Sequence, residues 1–446
     1  MGKGERARAF QGLESPAAGP KPRLGPGGLV RALRHRNYRL FFSGQSISLI
    51  GTWMQRIALS WLVYRLTGSA LLLGLVSFVS QLPTFVLAPF AGVWSDWGNR
   101  QKIIILTQSL AMLQAGVLAA LVLTGAIAVW QIVLLGIFLG LVNAVDMPVR
   151  QAFVVEMIED RQDLGNAIAL NSSMVNSARL IGPSIAGVLV AALGEGVCFL
   201  LNALSYLPVI AALAAMRVQP REPRGQAVRV WAELREGFDY AFGSPPIRAI
   251  LLLLAVISLL GMPYTVLMPV FAREVLHGGP STLGFLMGAV GLGALLGAIY
   301  LASRRGVLGL GRFIALASTI FGFGLIAFSL SRALWLSLLL LLVAGFGMTA
   351  QAAASNTVLQ TIVAEDKRGR VMSLYTMAFM GMFPFGGLLA GGLAGLIGPT
   401  ETVLLGGVSS ILSALFFTRR LGAYLRGKGE AVPPQVREVW EGGPFG

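Results

Sequence analysis

Residues Gly92–Lys102 read GVWSDWGNRQK and link two long apolar runs, Ala70–Trp94 and Ile103–Leu123. Each run can cross a bilayer as a helix, at ~20 apolar residues per crossing. The polar stretch must then turn the chain within a few residues. Asp96 is placed to cap the next helix, because a carboxylate accepts from orphan N–H groups and complements the positive helix end. Asn99 is one of the few non-glycine types that tolerate a left-handed turn. Arg100 and Lys102 hold the link on the cytoplasmic side, where basic residues are retained.

The composition fits that reading. The chain of 446 residues is 55% hydrophobic and only 12% charged, too few charges for a soluble protein. Its 56 glycines suit membrane helices, where small residues let backbones approach closely. A net charge of +15 raises nucleic acid as a partner. The basic residues fall in loops between apolar spans and form no aromatic-interleaved surface, so positive-inside topology and anionic lipid explain them instead. Cys198 is the single cysteine, which excludes an intrachain disulfide. His35 and His277 stand far apart without metal-ligand company, so no metal or other cofactor is expected.

About twelve spans follow: Leu40–Tyr64, Ala70–Trp94, Ile103–Leu123, Val129–Met147, Asn166–Leu193, Val197–Ala215, Ile247–Phe271, Leu283–Leu301, Phe313–Leu330, Leu334–Ala354, Val371–Ile397 and Thr402–Thr418. Charge tests the topology. The N-terminal tail and the even-numbered links hold most of the Lys and Arg, whereas the odd links hold only Arg65, Arg273 and Arg332. An even span number, both termini in the cytoplasm and the charge bias agree. The expected organisation is a cytoplasmic tail over 1–36, a six-helix bundle over 37–216, a cytoplasmic linker over 217–246, a second bundle over 247–421 and a tail over 422–446. A short amphipathic helix is expected to begin near Leu29.

In the linker, Trp231, Leu234, Phe238 and Phe242 recur at helical spacing. Two readings fit: an amphipathic helix on the inner membrane surface, or a linker helix packed on the bundle. Weak repetition supports two homologous halves. Leu66, Gly68, Leu73 and Gly74 match Leu276, Gly278, Leu283 and Gly284 at an offset of 210, and Leu170, Gly182, Ala186 and Gly187 match Leu374, Gly386, Ala390 and Gly391 at 204. Parallel halves of this kind place a substrate site near the midplane, between them.

Several spans carry polar stripes along one face. The first has Gln45, Ser48, Thr52 and Gln55; the fourth has Asn143, Asp146 and Arg150; the fifth has Ser172, Asn176, Arg179 and Pro183. Gln351 adds a polar group to the tenth. Such stripes line a water-filled cavity or make interhelix hydrogen bonds. Arg56 and Arg179 lie roughly 24 Å and 20 Å into their spans at the ~1.5 Å helical rise. A lone charge at that depth needs water, a carboxylate, carbonyls or an anionic ligand. Either arginine could attract an anionic or polar substrate, or pair with helix carbonyls or gate residues. Asp146 is the candidate proton carrier, with an ion pair to Arg150 one turn away as the alternative. Gly387, Gly391 and Gly395, and Gly293 with Gly297, make small-residue ridges suited to helices that rock across the interface between halves, or to ordinary tight packing.

The stretch 92–102 resembles the signature loop of the major facilitator superfamily between its second and third helices. Gly92, Asp96 and Arg100 fall in register. Trp97 stands where a basic residue is usual, and Asn99 where the second glycine is usual, with Gly98 one place early. Ala178–Gly187 (ARLIGPSIAG) resembles the fifth-span Gly-Pro motif of the superfamily's exporters. Arg36–Phe41, Ile57–Ala70, Asn166–Asn171 and Arg368–Tyr375 look like the bacterial branch that contains the enterobactin exporter and macrolide-efflux proteins. The resemblance covers roughly residues 31–420. It implies an all-α membrane protein of about twelve transmembrane helices in two pseudo-symmetric six-helix bundles, proton-driven export and alternating access. By it, Gly92, Asp96 and Arg100 belong to an inner latch, and Arg179, Gly182, Pro183 and Gly187 to the exporter motif.

The expectation is therefore a secondary transporter of the bacterial inner membrane, not an enzyme. It would export a small amphipathic or anionic compound, siderophore- or drug-like, with the proton gradient as energy source and lipid and the substrate as partners. An uncoupled facilitator or importer and a non-transporting receptor stand as alternatives. No Gly-rich phosphate cradle ending in Lys-Ser or Lys-Thr occurs, which argues against ATP-driven pumping.

Overall fold

The computed structural model describes residues 30–87, 99–217, 230–304, 306–428 and 434–440. These are helical, with no strand among them. The helices are α1 (Arg36–Thr67), α2 (Ala70–Leu87), α3 (Arg100–Leu123), α4 (Val129–Glu156), α5 (Leu164–Leu193), α6 (Glu195–Ala214), the composite α7 (Pro245–Val275), α8 (Pro280–Ser303), α9 (Leu310–Leu330), α10 (Leu334–Ile362), the composite α11 (Glu365–Ile397) and α12 (Pro399–Lys428). Among the described residues, eleven helices are long and apolar enough to cross a membrane. The other long one, α1, has 32 residues, ~48 Å at the helical rise. Its Gln45, Ser48, Thr52, Gln55 and Arg56 make it too polar to pass on hydropathy.

Gly92 and Asp96 lie outside the described residues. The cap of α3 is Asn99, whose Oδ1 accepts from the Lys102 N–H at 3.3 Å. Its φ of −80° and ψ of 105° are extended. The left-handed turn expected at Asn99 is thus replaced by an N-cap, which needs β-region backbone. Arg100 ties this helix start to α4 through a 2.6 Å bond from Nη1 to Glu156 Oε1.

Two helices depart from the simple spans. α4 continues past the expected end at Met147, through Pro148, to Glu156. The pair Asp146–Arg150 at 3.3 Å bridges the turn that the proline weakens. α7 is not one regular helix. It passes through π turns at Ile257–Gly261 and Phe271–Val275 and a 3₁₀ turn at Met262–Thr265. Pro263 cannot donate to the carbonyl of Leu259, and α11 closes on that carbonyl: a Cβ on Gly386 would stand 2.3 Å from it.

The halves meet around equivalent residues. Gly187 of α5 packs on Gly284 of α8, where an added Cβ would stand 2.7 Å from the partner's Cα. Gly391 of α11 packs on Gly74 of α2, with the corresponding distance 3.1 Å. These are the same contact under the two repeat offsets. Tyr64 donates to Glu274, 210 residues away, so each bonds its own repeat mate across the pseudo-twofold axis. These contacts lie at the end that holds the odd-numbered links, hereafter the arginine-poor end. On the α2–α11 side contact runs down to the Phe85–Phe385 edge pair, with centroids 5.5 Å apart. Gly293 and Gly297 face Leu342 and Phe346 of α10 inside the second half, the tight-packing reading of that ridge and not the interface one. Gly284, Gly288 and Gly291, on another face of α8, meet α5 instead. Gly395 has open space beside it.

The linker helix Val230–Gly243 docks on the start of α11. Glu236 accepts from Arg370 Nη1 at 2.7 Å and from Lys367, and Gly237 lies against the Arg370 side chain. The Lys367 hydrogen bond, and after it the charges of Arg370 and Lys367, hold the Glu236 carboxyl below its ordinary value. This is the packed-linker arrangement, although Phe238, stacked on Phe242, remains exposed. Near Leu29 the described chain forms a 3₁₀ turn, Arg31–Arg34. It is pinned by Ala32 N–H to Asn166 Oδ1 at 2.9 Å and by His35 to Asp163 at 3.1 Å. Past α12, the helix Pro434–Trp440 seats Trp440 on Gly311 and Phe417.

Candidate functional site

The expected polar residues separate into four groups. Gln55, 4% exposed, is held from both sides. Its Nε2 donates to Gln114 Oε1 of α3 at 3.0 Å, and its Oε1 accepts from Asn202 Nδ2 of α6 at 2.7 Å. This closed triad joins three helices, and it is the hydrogen-bonding reading of the first-span stripe. Gln45 is buried near the other end of α1, with Oε1 unpartnered. Thr52 donates to Ser48 O at 2.9 Å and meets the Tyr206 hydroxyl at 3.5 Å.

Asp146 forms the second group. Its Oδ1 accepts from Thr107 at 2.7 Å and from Gln108 Nε2 at 2.9 Å, and its Oδ2 faces Arg150 Nε at 3.3 Å. Three donors therefore serve one buried carboxylate, between α3 and α4. Asn143, one turn earlier, is half-buried. The third group lies apart. Asn176 donates to Ser172 O of its own helix at 3.0 Å. Gln351, fully buried in the second half, donates to Ser355 at 3.3 Å and keeps an unpartnered Oε1.

Arg56 and Arg179 make the fourth group, and here α1 and α5 bring two cations to one ring. The Arg56 guanidinium carbon stands 4.7 Å from the centroid of Trp53, and that of Arg179 stands 5.8 Å from it. Gly182 makes this possible. A Cβ there would lie 2.6 Å from Trp53 Cβ, so α5 can seat against α1 one turn from Arg179. Pro183 has no N–H for the Arg179 carbonyl, four residues back. Gly291 of α8 packs there, where its Cβ would be 3.0 Å from that oxygen. The exporter-like stretch thus sets Arg179 between α1 and the other half, while Gly187 makes the cross-half contact.

Among the described residues no carboxylate pairs with Arg56 or Arg179, whereas Arg65 pairs with Glu195 at 2.7 Å, Arg100 with Glu156 and Arg150 with Asp146. The Arg56 side chain is exposed and that of Arg179 half-buried, although both are surrounded by protein at this depth in the bundle. From the second half, Tyr264 lies within electrostatic reach of Arg179. Its hydroxyl is buried without a hydrogen-bond partner, in a residue 2% exposed. Two cations and an unpartnered buried hydroxyl, the latter from the second half, thus lie close together where α1, α5 and α7 approach. Trp53 and Tyr264 were not expected. Trp53 stands three residues before Arg56 and so shares its face, which is the one sequence signal for it.

Known proteins agree with this architecture. A family model described as transmembrane secretion effector matches residues 29–426. The chain is 26% identical to the staphyloferrin A transporter of Staphylococcus aureus over 85% of its length and 95% of the relative. It is 25% identical to the multidrug efflux pump Tap of Mycolicibacterium fortuitum, over 87% and 93%. It is 26% identical to the enterobactin exporter of Citrobacter koseri, over 90% and 95%. A bacterial homologue of the iron transporter ferroportin, solved inward-facing, superposes with a TM-score of 0.65 at 16% identity, covering 86% of this chain and 98% of that one. A POT family transporter bound to 5-aminolevulinic acid superposes at 0.70 with 12% identity, over 86% and 96%; both likenesses show the fold. With its helices, its cross-half glycine contacts and its exporter-like fifth span, the chain belongs to the transmembrane secretion effector family of the major facilitator superfamily, and is a multi-pass membrane transporter, not an enzyme.

Proposed function

We propose that this transporter exports a small anionic compound from the bacterial cytoplasm by alternating access across the inner membrane. The observation that carries the reading is the Arg56–Arg179 pair on Trp53, accessible deep in the bundle and without a carboxylate among the described residues. The arginine-rich end is the cytoplasmic side, with both termini there, by the retention of Lys and Arg inside. Contact between the halves at the arginine-poor end then corresponds to a carrier closed outward. Among the cargoes that the relatives' names carry, siderophores fit two guanidiniums best, because iron chelators present anionic oxygen donors. Accumulation in a deletion strain tests this. Anionic chelators should build up inside and be cleared when the gene is restored. Clearance of macrolides and cationic dyes with no effect on chelators would overturn the reading.

A proton route through Asp146 is a second reading. Tyr206 favours it by lying within electrostatic reach of Asp146 while meeting Thr52 of α1. In proteoliposomes, Asp146→Asn should abolish the response of flux to a pH gradient while keeping downhill flux. Unchanged coupling would remove Asp146 from the mechanism. Wild-type flux indifferent to the gradient would favour a facilitator.

A further inference from the structure

We infer that the membrane potential itself drives this carrier, and that its preferred cargo carries two negative charges. The inference rests on the anion reading of the Arg56–Arg179 site and adds its charge balance and its energy source. Elsewhere along the spans, Asp146 pairs with Arg150 and, at the arginine-poor end, Arg65 pairs with Glu195, while Arg273 lies over the Tyr64 ring beside Glu274, which accepts from the Tyr64 hydroxyl. Arg56 and Arg179 have no such partner among the described residues, and a guanidinium stays charged in a protein. The substrate-free interior therefore carries a formal charge of two.

That charge stands at a fixed depth while water access alternates. When the carrier opens inward, the arginines sit at the cytoplasmic potential; when it opens outward, at the external one. An inside-negative potential then favours the inward-facing, substrate-free carrier. A dianion cancels the two charges, so the loaded carrier turns over with no voltage penalty and is expelled. The unloaded carrier is pulled back by the field. One cycle moves two negative charges outward, without a titrating group. One charge crossing 100 mV changes a two-state ratio about fiftyfold, so two charges crossing half the field do the same.

The test needs no substrate. Thr124 and Leu330 are exposed at the arginine-poor ends of α3 and α9, one in each half, and Cys198 is buried. Thr124→Cys and Leu330→Cys, labelled as a fluorescent donor–acceptor pair, report closure of that end in uniformly oriented liposomes. A potassium–valinomycin potential of about 100 mV, negative on the arginine-rich side, should raise the closed-to-open ratio tenfold or more. Arg56→Gln with Arg179→Gln should remove the response, and Arg56→Lys with Arg179→Lys should keep it. A wild-type ratio that ignores voltage, or an equal response in the glutamine double variant, overturns the inference. Chelator flux without a voltage response would sink this inference alone. A voltage response without chelator flux would sink the anion-export reading and leave the voltage coupling standing.

Discussion

Gly284→Leu is expected to stop transport by holding the arginine-poor end open. Even a Cβ at this position would stand 2.6 Å from Gly187 Cα and 2.8 Å from the Pro183 carbonyl oxygen. Both are backbone atoms, so no side chain can swing aside. Forcing extra carbons into a packed contact costs about 1–3 kcal/mol, a shift of roughly 5- to 150-fold between two states. Only the state in which α5 and α8 touch suffers that cost. Ser281, half-buried beside the contact with its hydroxyl 3.4 Å from Gly187 O, is the reporter. A cysteine there should label faster with an impermeant maleimide, and substrate flux should fall at least tenfold. Gly293→Leu is the contrast. Its Cβ would stand 2.0 Å from Leu342 O inside the second half, so it should reduce the yield of folded protein. Tyr64→Phe should move the equilibrium in the same direction as Gly284→Leu, because it deletes the cross-half bond to Glu274 and keeps the ring under Arg273. Unchanged labelling in Gly284→Leu with transport intact would mean that this contact does not close the carrier.

The bilayer explains why so much of the fold is legible in the sequence. Runs of ~20 apolar residues and arginines on alternate links are imposed by lipid and membrane orientation, whatever the tertiary packing. α1 was legible for a further reason: its glutamines and threonine interrupt an apolar run without ending it. The extensions of α4 to Glu156 and of α10 to Ile362 were not. Beyond the hydrocarbon core nothing forces a helix to be apolar, so hydrophobicity ends before the helix does. The breaks in α7 follow from Pro263 and Pro269, but what covers the Leu259 carbonyl that Pro263 frees depends on α11. The glycines show the same limit. Gly291 and Gly293 are two residues apart and face different helices, and composition cannot tell the faces apart.

The candidate site was legible only where burial is expensive. An arginine at mid-depth has few cheap explanations, so Arg56 and Arg179 stood out. A glutamine has many. Gln55 reads the same in sequence whether it lines a gap or, as here, bonds residues 59 and 147 positions away. Aromatic residues are ordinary in membrane helices, so neither Trp53 nor Tyr264 announced itself. What distinguishes Tyr264 is an unpartnered hydroxyl, a property of its neighbours and not of its type.

Neutralising the two arginines should make the protein both more stable and inactive. A guanidinium at the centre of a membrane helix costs up to about 2.5–3.5 kcal/mol on insertion scales, less where water reaches it. The Trp53 ring returns about 0.5–2 kcal/mol per cation, and no carboxylate among the described residues returns more. Arg56→Gln and Arg179→Gln remove that strain, so the melting temperature in detergent should rise in each and rise further in the pair. Binding should move the other way. Deleting one partner of a desolvated charge pair costs about 2–5 kcal/mol, which is roughly thirtyfold or more in affinity. Either single variant should therefore bind an anionic chelator weakly, and the pair not measurably. Arg→Lys keeps the charge but loses the planar fork that grips two oxygens, and should fall between. A structural role predicts the opposite covariance, since arginines that brace helix carbonyls would take stability and transport down together. Stability that falls with activity, or chelator flux that survives in the double glutamine variant, would show that these cations hold the helices and not the cargo.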